Sequence, residues 1–194
     1  MRSATLALAL AVTACVTSVR GATVLDNLIN TVETAVELIK NGTAAEDNTT
    51  TLLFGTRTLI ESFGYAVENH TVTTEDCYQL SLFRIPKPGG RPVLFMHGIW
   101  ESSADWPVPG PGRALPFLLA NAGYDVWLGN ARGNTESRRS CKYNPDKDPE
   151  FWDFSMHEIG TIDLPASIDY ILMHTNQSDL HYVGFSQVTL TMNW

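Results

Sequence analysis

Basic residues are scarce in this chain. Its 194 residues include 13 Lys and Arg against 21 Asp and Glu, so the formal net charge is −8. Nucleic-acid binding and polybasic membrane anchoring both depend on clustered Lys and Arg. The densest basic cluster, Arg138-Arg139 with Lys142, is too short for either role. The composition therefore argues against a nucleic-acid partner and against a polybasic anchor.

Apolar runs long enough to cross a bilayer are also missing. The N-terminal apolar run follows Arg2 and extends from Ala4 to about Val16. A transmembrane helix needs about 20 residues, so this run is too short to cross a bilayer. Small residues follow it, and cleavage after Gly21 would leave Val19 and Gly21 at the positions that signal peptidase reads. We therefore predict a signal peptide over residues 1–21, no transmembrane segment, and a secreted or lumenal protein.

Cysteine is rare, with three in the whole chain. Cys15 lies in the predicted signal peptide, which leaves Cys77 and Cys141 in an oxidising compartment. They could pair, but sequence alone does not decide this, because geometry governs disulfide formation. Four Asn-x-Ser/Thr sequons agree with a secreted glycoprotein, and we predict glycosylation there. They are Asn41, Asn48, Asn69 and Asn176.

The chain divides after the signal peptide into two parts. Residues 22–63 form a helical N-terminal segment, because apolar residues recur at helical spacing from Val24 to Ile39. A polar linker and a second helix, from about Thr51 to Phe63, follow it. Residues 64–194 form an α/β domain, which begins with two paired strands between Thr71 and Ile85 around a polar turn.

Strands and helices then alternate along the α/β domain. Such alternation predicts a mostly parallel sheet with flanking helices and right-handed crossovers. Asp163 is expected to cap a helix whose first turn contains Pro165. The predicted elements are strand Pro92–Met96, helix Leu115–Ala122, strand Tyr124–Leu128, the helix after Asp163, and strand Leu180–Val183.

Gly184-Phe185-Ser186-Gln187-Val188 follows the last of these strands directly. In a nucleophile elbow, a serine lies on a sharp strand-to-helix turn that exposes its hydroxyl, and the next N–H faces the developing oxyanion. Ser186 is therefore the candidate nucleophile, and Gln187 a candidate oxyanion donor. Gly184 meets the requirement for a small residue two positions before the serine, whereas Val188 departs from it two positions after.

His97-Gly98-Ile99 ends the first strand of the alternating region. A backbone N–H in such a loop can supply the second oxyanion donor. We therefore predict that the Ile99 N–H partners the Gln187 N–H.

The sequence from Gly64 to Trp194 resembles the acid lipases, a family that includes the gastric, lingual and lysosomal enzymes and insect relatives. The matching segments occur in order with plausible gaps. They are Gly64-Tyr65, 73–76, 84–86, His97-Gly98, 121–130, 132–134, Arg138-Arg139, 150–155, 163–166 and 180–184.

The resemblance implies an α/β-hydrolase fold and hydrolysis of acylglycerols or sterol esters by a Ser–Asp–His triad, without metal or organic cofactor. It also implies a lipid ester or lipid surface as partner, and a secreted or lysosomal location. Ser186 would be the nucleophile, and Ile99 and Gln187 the oxyanion donors. A non-catalytic secreted relative that binds lipid or another partner is the main alternative hypothesis, and an α/β-hydrolase esterase for small soluble esters is a weaker one.

Departures from the family favour low activity. Phe185 stands where the family has His, Val188 and Cys77 where it has Gly, and Met156 where it has Trp. The family's Asp and His follow the serine, whereas Trp194 is eight residues past Ser186. We expect this chain to be truncated just after the elbow and to be inactive or nearly so. The remaining candidates for a triad, which are His157, His174, His181 and Asp125, are interpreted as structural.

Overall fold

The computed structural model describes Val16–Thr17 and residues 55–186. The predicted first helix and linker, and most of the predicted signal peptide, lie outside these residues. The described strands form one six-stranded sheet in the order β1-β6-β4-β5-β3-β2. The strands are β1 (Val16–Thr17), β2 (Glu68–Thr73), β3 (Gln79–Ile85), β4 (Pro92–Met96), β5 (Asp125–Gly129) and β6 (His181–Gly184).

The hairpin predicted near the start of the α/β domain is confirmed. Strands β2 and β3 pair antiparallel, from Glu68 opposite Arg84 to Thr73 opposite Gln79. Strand β2 begins earlier than the alternating pattern indicated. Half-buried or buried residues alternate with exposed ones along it, as expected for a strand with one face turned to the core.

The three core strands are parallel, as predicted. Strand β4 lies between β5 and β6, and Met96 pairs with both Gly129 and Gly184. All residues of β4 and β5 are buried. The outer pairs are antiparallel, so the described part of the sheet is mixed. Because β4, β5 and β6 end at the same edge, the loops that follow them meet there, where α/β folds place their ligands.

Helices cover both faces of the sheet. Alternate residues of β4 separate two apolar clusters: Phe95 packs with Phe117 on one face, and Leu94 packs with Ile171 on the other. No helix in residues 55–186 is long and apolar enough to cross a membrane. The helices are α1 (Thr56–Ser62), α2 (Leu115–Asn121), α3 (Met156–Glu158), α4 (Leu164–Thr175), 3₁₀ turns at Ser103–Asp105 and Pro149–Trp152, and a π-turn at Ile159–Asp163.

The predicted helix after Asp163, with Pro165 in its first turn, is present as α4, but the Asp163 side chain does not cap it. Helical structure begins earlier, at Met156, where Ser155 and Glu158 form a capping box. Asp163 has helical φ and ψ and makes no side-chain cap bond. Its buried carboxylate instead accepts bonds from the Arg132 backbone N–H (2.9 Å) and Nε (2.8 Å). A buried carboxylate needs a cationic partner, and that need determines its role here.

Cys77 and Cys141 form a disulfide, with their Cα atoms 5.4 Å apart. The Cys141 N–H also donates to the Cys77 carbonyl at 2.9 Å. Cys77 has φ +82°, a conformation that favours glycine. The glycine that the resemblance to the acid lipases implies at this position would adopt this φ without strain.

Candidate active site

Ser186 lies on a sharp turn just beyond β6. Its φ is +56°, a left-handed conformation that is unusual for a residue with a Cβ, and it is exposed. The Phe185 N–H donates to the Met96 carbonyl at 3.1 Å, so the pairing of β6 with β4 continues up to the residue before the serine. A positive φ and exposure at the end of a buried parallel strand are features that a nucleophile elbow requires of its serine.

The loop after β4 lies directly against this turn. A Cβ added at Gly98 would be 3.2 Å from the Ser186 Cβ and 3.0 Å from the Phe185 ring. Glycine at position 98 therefore permits the two loops to approach this closely. The two segments that sequence reasoning selected separately, His97-Gly98-Ile99 and Gly184-Phe185-Ser186, are neighbours in the structure.

His97 fixes the backbone of this loop. Its Nδ1–H donates to the Gly98 carbonyl at 2.8 Å, and its Nε2 accepts the Ala131 N–H at 3.1 Å. Burial lowers the pKa of His97, which agrees with a neutral imidazole. The Gly98 carbonyl and the Ile99 N–H belong to the same planar peptide and point in opposite directions. His97 therefore also fixes the direction of the Ile99 N–H.

Glu101 holds the other end of Gly98. Its carboxylate accepts the Gly98 N–H at 2.7 Å, and burial raises the pKa of Glu101. Among residues 55–186, no hydrogen bond from the Ile99 N–H is found, which leaves that group available to a ligand. The neighbouring Trp100 also has positive φ, +64°, and its side chain is 95% exposed.

The loop after β5 supports the loop after β4. The Asn134 amide donates to His97 Nε2 at 3.0 Å and to the Asn130 side-chain oxygen at 2.8 Å. Asn130 in turn accepts the Ser103 N–H at 2.9 Å. Sequence reasoning missed the roles of Glu101, Asn130 and Asn134. Asn130 and Asn134 lie in segments that match the acid lipases. That match was the one sequence feature that could have indicated their roles.

An open cavity of about 630 Å³ begins at these loops. It lies between the loop after β4, the loop after β5 and the segment that leads into α3. Its lining includes several apolar side chains, four of which are strongly exposed. These exposed lining residues are Ile99, Trp100, Trp152 and Met156.

The other histidines and the aspartate considered for a triad either lie away from Ser186 or make structural contacts. Buried Asp125 accepts bonds from Arg84 Nε (2.9 Å) and Trp127 Nε1 (2.7 Å). His181 is buried at the start of β6, at the far end from Ser186. His174 lies in the last turn of α4, and exposed His157 in α3.

The remaining predictions concern the second oxyanion donor and the four glycosylation sequons. Gln187 and Val188 lie outside the described residues, as do Asn41 and Asn48. The sequon residues Asn69 and Asn176 are both exposed, on β2 and just after α4.

Comparison with known proteins agrees with this geometry. Residues 56–110 match the model of a partial α/β-hydrolase lipase region, and residues 91–194 match that of the α/β-hydrolase fold. Lipase 1 of Drosophila melanogaster is 54% identical over 129 residues, 66% of this chain and 29% of that lipase. Human gastric triacylglycerol lipase is 49% identical over 139 residues, 68% of this chain and 35% of the lipase.

The predicted resemblance to the acid lipases is thereby confirmed. The chain spans about a third of the length of these curated relatives, between 29% and 35%. An esterase of Pyrococcus furiosus superposes with a TM-score of 0.51 at 21% identity, over 68% of this chain and 44% of the esterase. At that identity the likeness concerns the fold alone.

Proposed function

Since the chain belongs to the α/β-hydrolase fold family, we propose that it is the nucleophile-bearing part of a serine lipase that hydrolyses carboxylic esters of lipids. One observation carries the proposal: the positive-φ turn at Ser186 packs against the Gly98 loop, with only 3.2 Å between the Ser186 Cβ and a Cβ built on Gly98. This juxtaposition is what acyl transfer from an ester to a serine requires, because the nucleophile and the oxyanion donors must face the same carbonyl.

In the proposed reaction, the Ser186 hydroxyl attacks the ester carbonyl carbon, and the alcohol leaves with the serine's proton. Water then hydrolyses the acyl ester on Ser186, which releases the carboxylic acid and restores the hydroxyl. The Ile99 N–H, whose peptide His97 holds at 2.8 Å, and the Gln187 N–H would stabilise the charge on the carbonyl oxygen. In α/β-hydrolases, the acid and the histidine of the triad follow the serine in chain order. A serine without a base is a poor nucleophile, so Ser186 would need that histidine in order to react.

The lining of the cavity supports a lipid substrate. About 630 Å³ lies within the range of small-molecule sites, and Trp152, Phe154 and Met156 provide apolar surface for an acyl chain. Gly98 and Ile99 line the same cavity. An acyl chain would lie along the apolar wall while its carbonyl reaches the Ile99 N–H.

The proposed location is outside the cytosol, in a secreted or lysosomal protein. The Cys77–Cys141 disulfide supports an oxidising compartment, and the exposed Asn69 and Asn176 would be accessible for glycosylation. The partner would be a lipid ester or a lipid surface.

A second candidate function is non-catalytic binding of lipid. The exposed Trp100 and the apolar cavity favour it equally well, since neither needs a triad. The test is hydrolysis of an emulsified triacylglycerol by the secreted protein from its natural source, compared with its Ser186→Ala variant. Hydrolysis that the variant loses supports the lipase. Saturable binding of the same lipid, with no hydrolysis by either protein, supports the alternative.

A further inference from the structure

Three side chains of types that can bind a metal converge on the face of the sheet that α4 covers. Glu68 and His70 are two residues apart on β2, so they project from the same face. His174 approaches them from the last turn of α4. One carboxylate oxygen and one nitrogen from each imidazole all lie within 4.8 Å of one another. His174 is more than 100 positions from Glu68 and His70 in sequence, so spacing gave no signal of this cluster.

The atoms of the cluster are joined by short contacts. The Glu68 carboxylate lies 3.0 Å from His70 Nε2 and 2.9 Å from Arg84 Nη1. Arg84 Nη1 also donates to His174 Nε2 at 3.3 Å. The Tyr170 hydroxyl lies 2.9 Å from His70 Nδ1, on the other side of that ring. Arg84 Nη1 thus lies between Glu68 and His174 and donates to both.

We propose that Glu68, His70 and His174 form a binding site for a divalent transition-metal cation, with zinc as its natural occupant. Two imidazole nitrogens and one carboxylate are a ligand set that zinc accepts, with water in the fourth position. The Tyr170 hydroxyl would hold His70 Nδ1, as groups around a metal site hold the far nitrogen of a ligating imidazole. Because a hydroxyl can donate or accept, it suits the tautomer that frees His70 Nε2 for the metal.

The geometry requires only small movements. Ligand atoms of a tetrahedral zinc site lie about 3.3 Å apart, given Zn–N bonds of about 2.0 Å. The ligand atoms of the cluster lie within 4.8 Å of one another, so they must move closer together. The Glu68 side chain is 44% exposed and is therefore free to rotate towards the two histidines. Water and ions therefore reach the site from one side.

Arg84 would have to yield to the metal, and its contacts allow this. Its Nε donates to both oxygens of buried Asp125, at 2.9 and 3.1 Å, so it stays anchored when Nη1 moves. Arg84 carries one positive charge and faces two carboxylates, those of Glu68 and Asp125. The local charge is therefore negative, which a divalent cation would offset.

The site is separate from the cavity near Ser186, so the inference does not rest on the proposed function. A bound ion would tie β2, at one end of the described sheet, to the end of α4. Without metal, the same side chains form a hydrogen-bond network that links these two elements.

The test is titration of the full-length protein, purified and stripped of metal, with ZnCl₂ by calorimetry at about pH 7.5, where imidazoles are mostly neutral. We expect one zinc per chain and a rise in the temperature of unfolding. His174→Ala should weaken binding by about 100-fold or more, because it removes a direct ligand, and Tyr170→Phe by about tenfold. His174 is exposed, so its substitution should leave the fold intact, as circular dichroism would verify.

His157→Ala is the matched control, since it removes another exposed histidine that lies outside the cluster. It should bind zinc as the unchanged protein does. Absence of saturable zinc binding would overturn the proposal. Equal affinity in the unchanged protein and in His174→Ala would overturn it too, because the metal would then be held elsewhere.

Discussion

Gly98 and Ser186 approach so closely that a Cβ on the glycine would lie 3.2 Å from the Cβ of the serine. The approach follows from the register of the sheet, in which Met96 of β4 pairs with Gly184 of β6. Gly98 lies two residues after the end of β4, and Ser186 lies two residues after the end of β6. The arrangement of the candidate active site is therefore a consequence of how two parallel strands end.

Gly98→Ala tests whether this contact needs glycine. The added Cβ would meet Glu101 Oε2 at 2.9 Å and the Phe185 ring at 3.0 Å, so the Glu101 side chain must move and the Phe185 ring must give way slightly. We expect the free energy of unfolding to fall by about 1–3 kcal/mol, the usual cost of overpacking. Urea unfolding measures this change.

Gly55→Ala is the control for that substitution. Gly55 has an ordinary φ of −65°, and its added Cβ would meet mainly the end of the flexible Glu136 side chain, at 3.0 Å. Its loss of stability should be clearly smaller. Equal losses in the two variants would show that the Gly98 loop is not packed against Ser186 as described.

Backbone strain at Ser186 predicts an inverted order of stabilities. At φ +56° a Cβ is unfavourable, so Ser186→Gly should be more stable than Ser186→Ala by about 1 kcal/mol. At Ser62, inside α1, the order should be the usual one, with Ala more stable than Gly. Chemical denaturation of the four variants gives the comparison, and an ordinary order at position 186 would contradict the strained turn.

The capping box before α3 predicts a dependence of stability on pH. Bonds from the Ser155 hydroxyl and backbone N–H lower the pKa of Glu158 from 4.5 to about 2. A carboxyl whose pKa is lower in the folded state stabilises that state above its unfolded pKa, and the effect is lost as pH falls. The contribution of Glu158 should therefore be complete above about pH 4.5 and disappear towards pH 2.

Glu158→Gln isolates this effect, because glutamine can complete a capping box without titrating. The difference in unfolding free energy between the two proteins should narrow as pH falls from 4.5 to 2. Since Glu158 is exposed, solvent reduces the size of the effect but not its sign. A difference that does not change over this range would contradict the assignment of the box.

Local patterns predicted the parts of the fold that depend on neighbours in sequence. The apolar run Pro92–Met96 is a buried strand because both its faces are covered by helices. The turn at Ser186 was likewise predicted from the strand that precedes it. These features depend on residue type and spacing, which the sequence contains directly.

Features that depend on distant partners could not be predicted in this way. Asp163 has the residue type and position of a helix cap, yet Arg132, far away in sequence, binds its carboxylate. The bond of His97 to the Ala131 N–H exists because β4 and β5 end side by side. The cluster of Glu68, His70 and His174 likewise arises only when α4 packs on β2.

The most direct test of the central claim is reaction with a fluorophosphonate, followed by mass spectrometry of the peptides. It should be applied to the protein purified from its natural source. We predict a single adduct, on Ser186, because its hydroxyl lies on the exposed turn beside the Gly98 loop. An adduct on another serine, or ester hydrolysis that continues while Ser186 stays unmodified, would contradict the account.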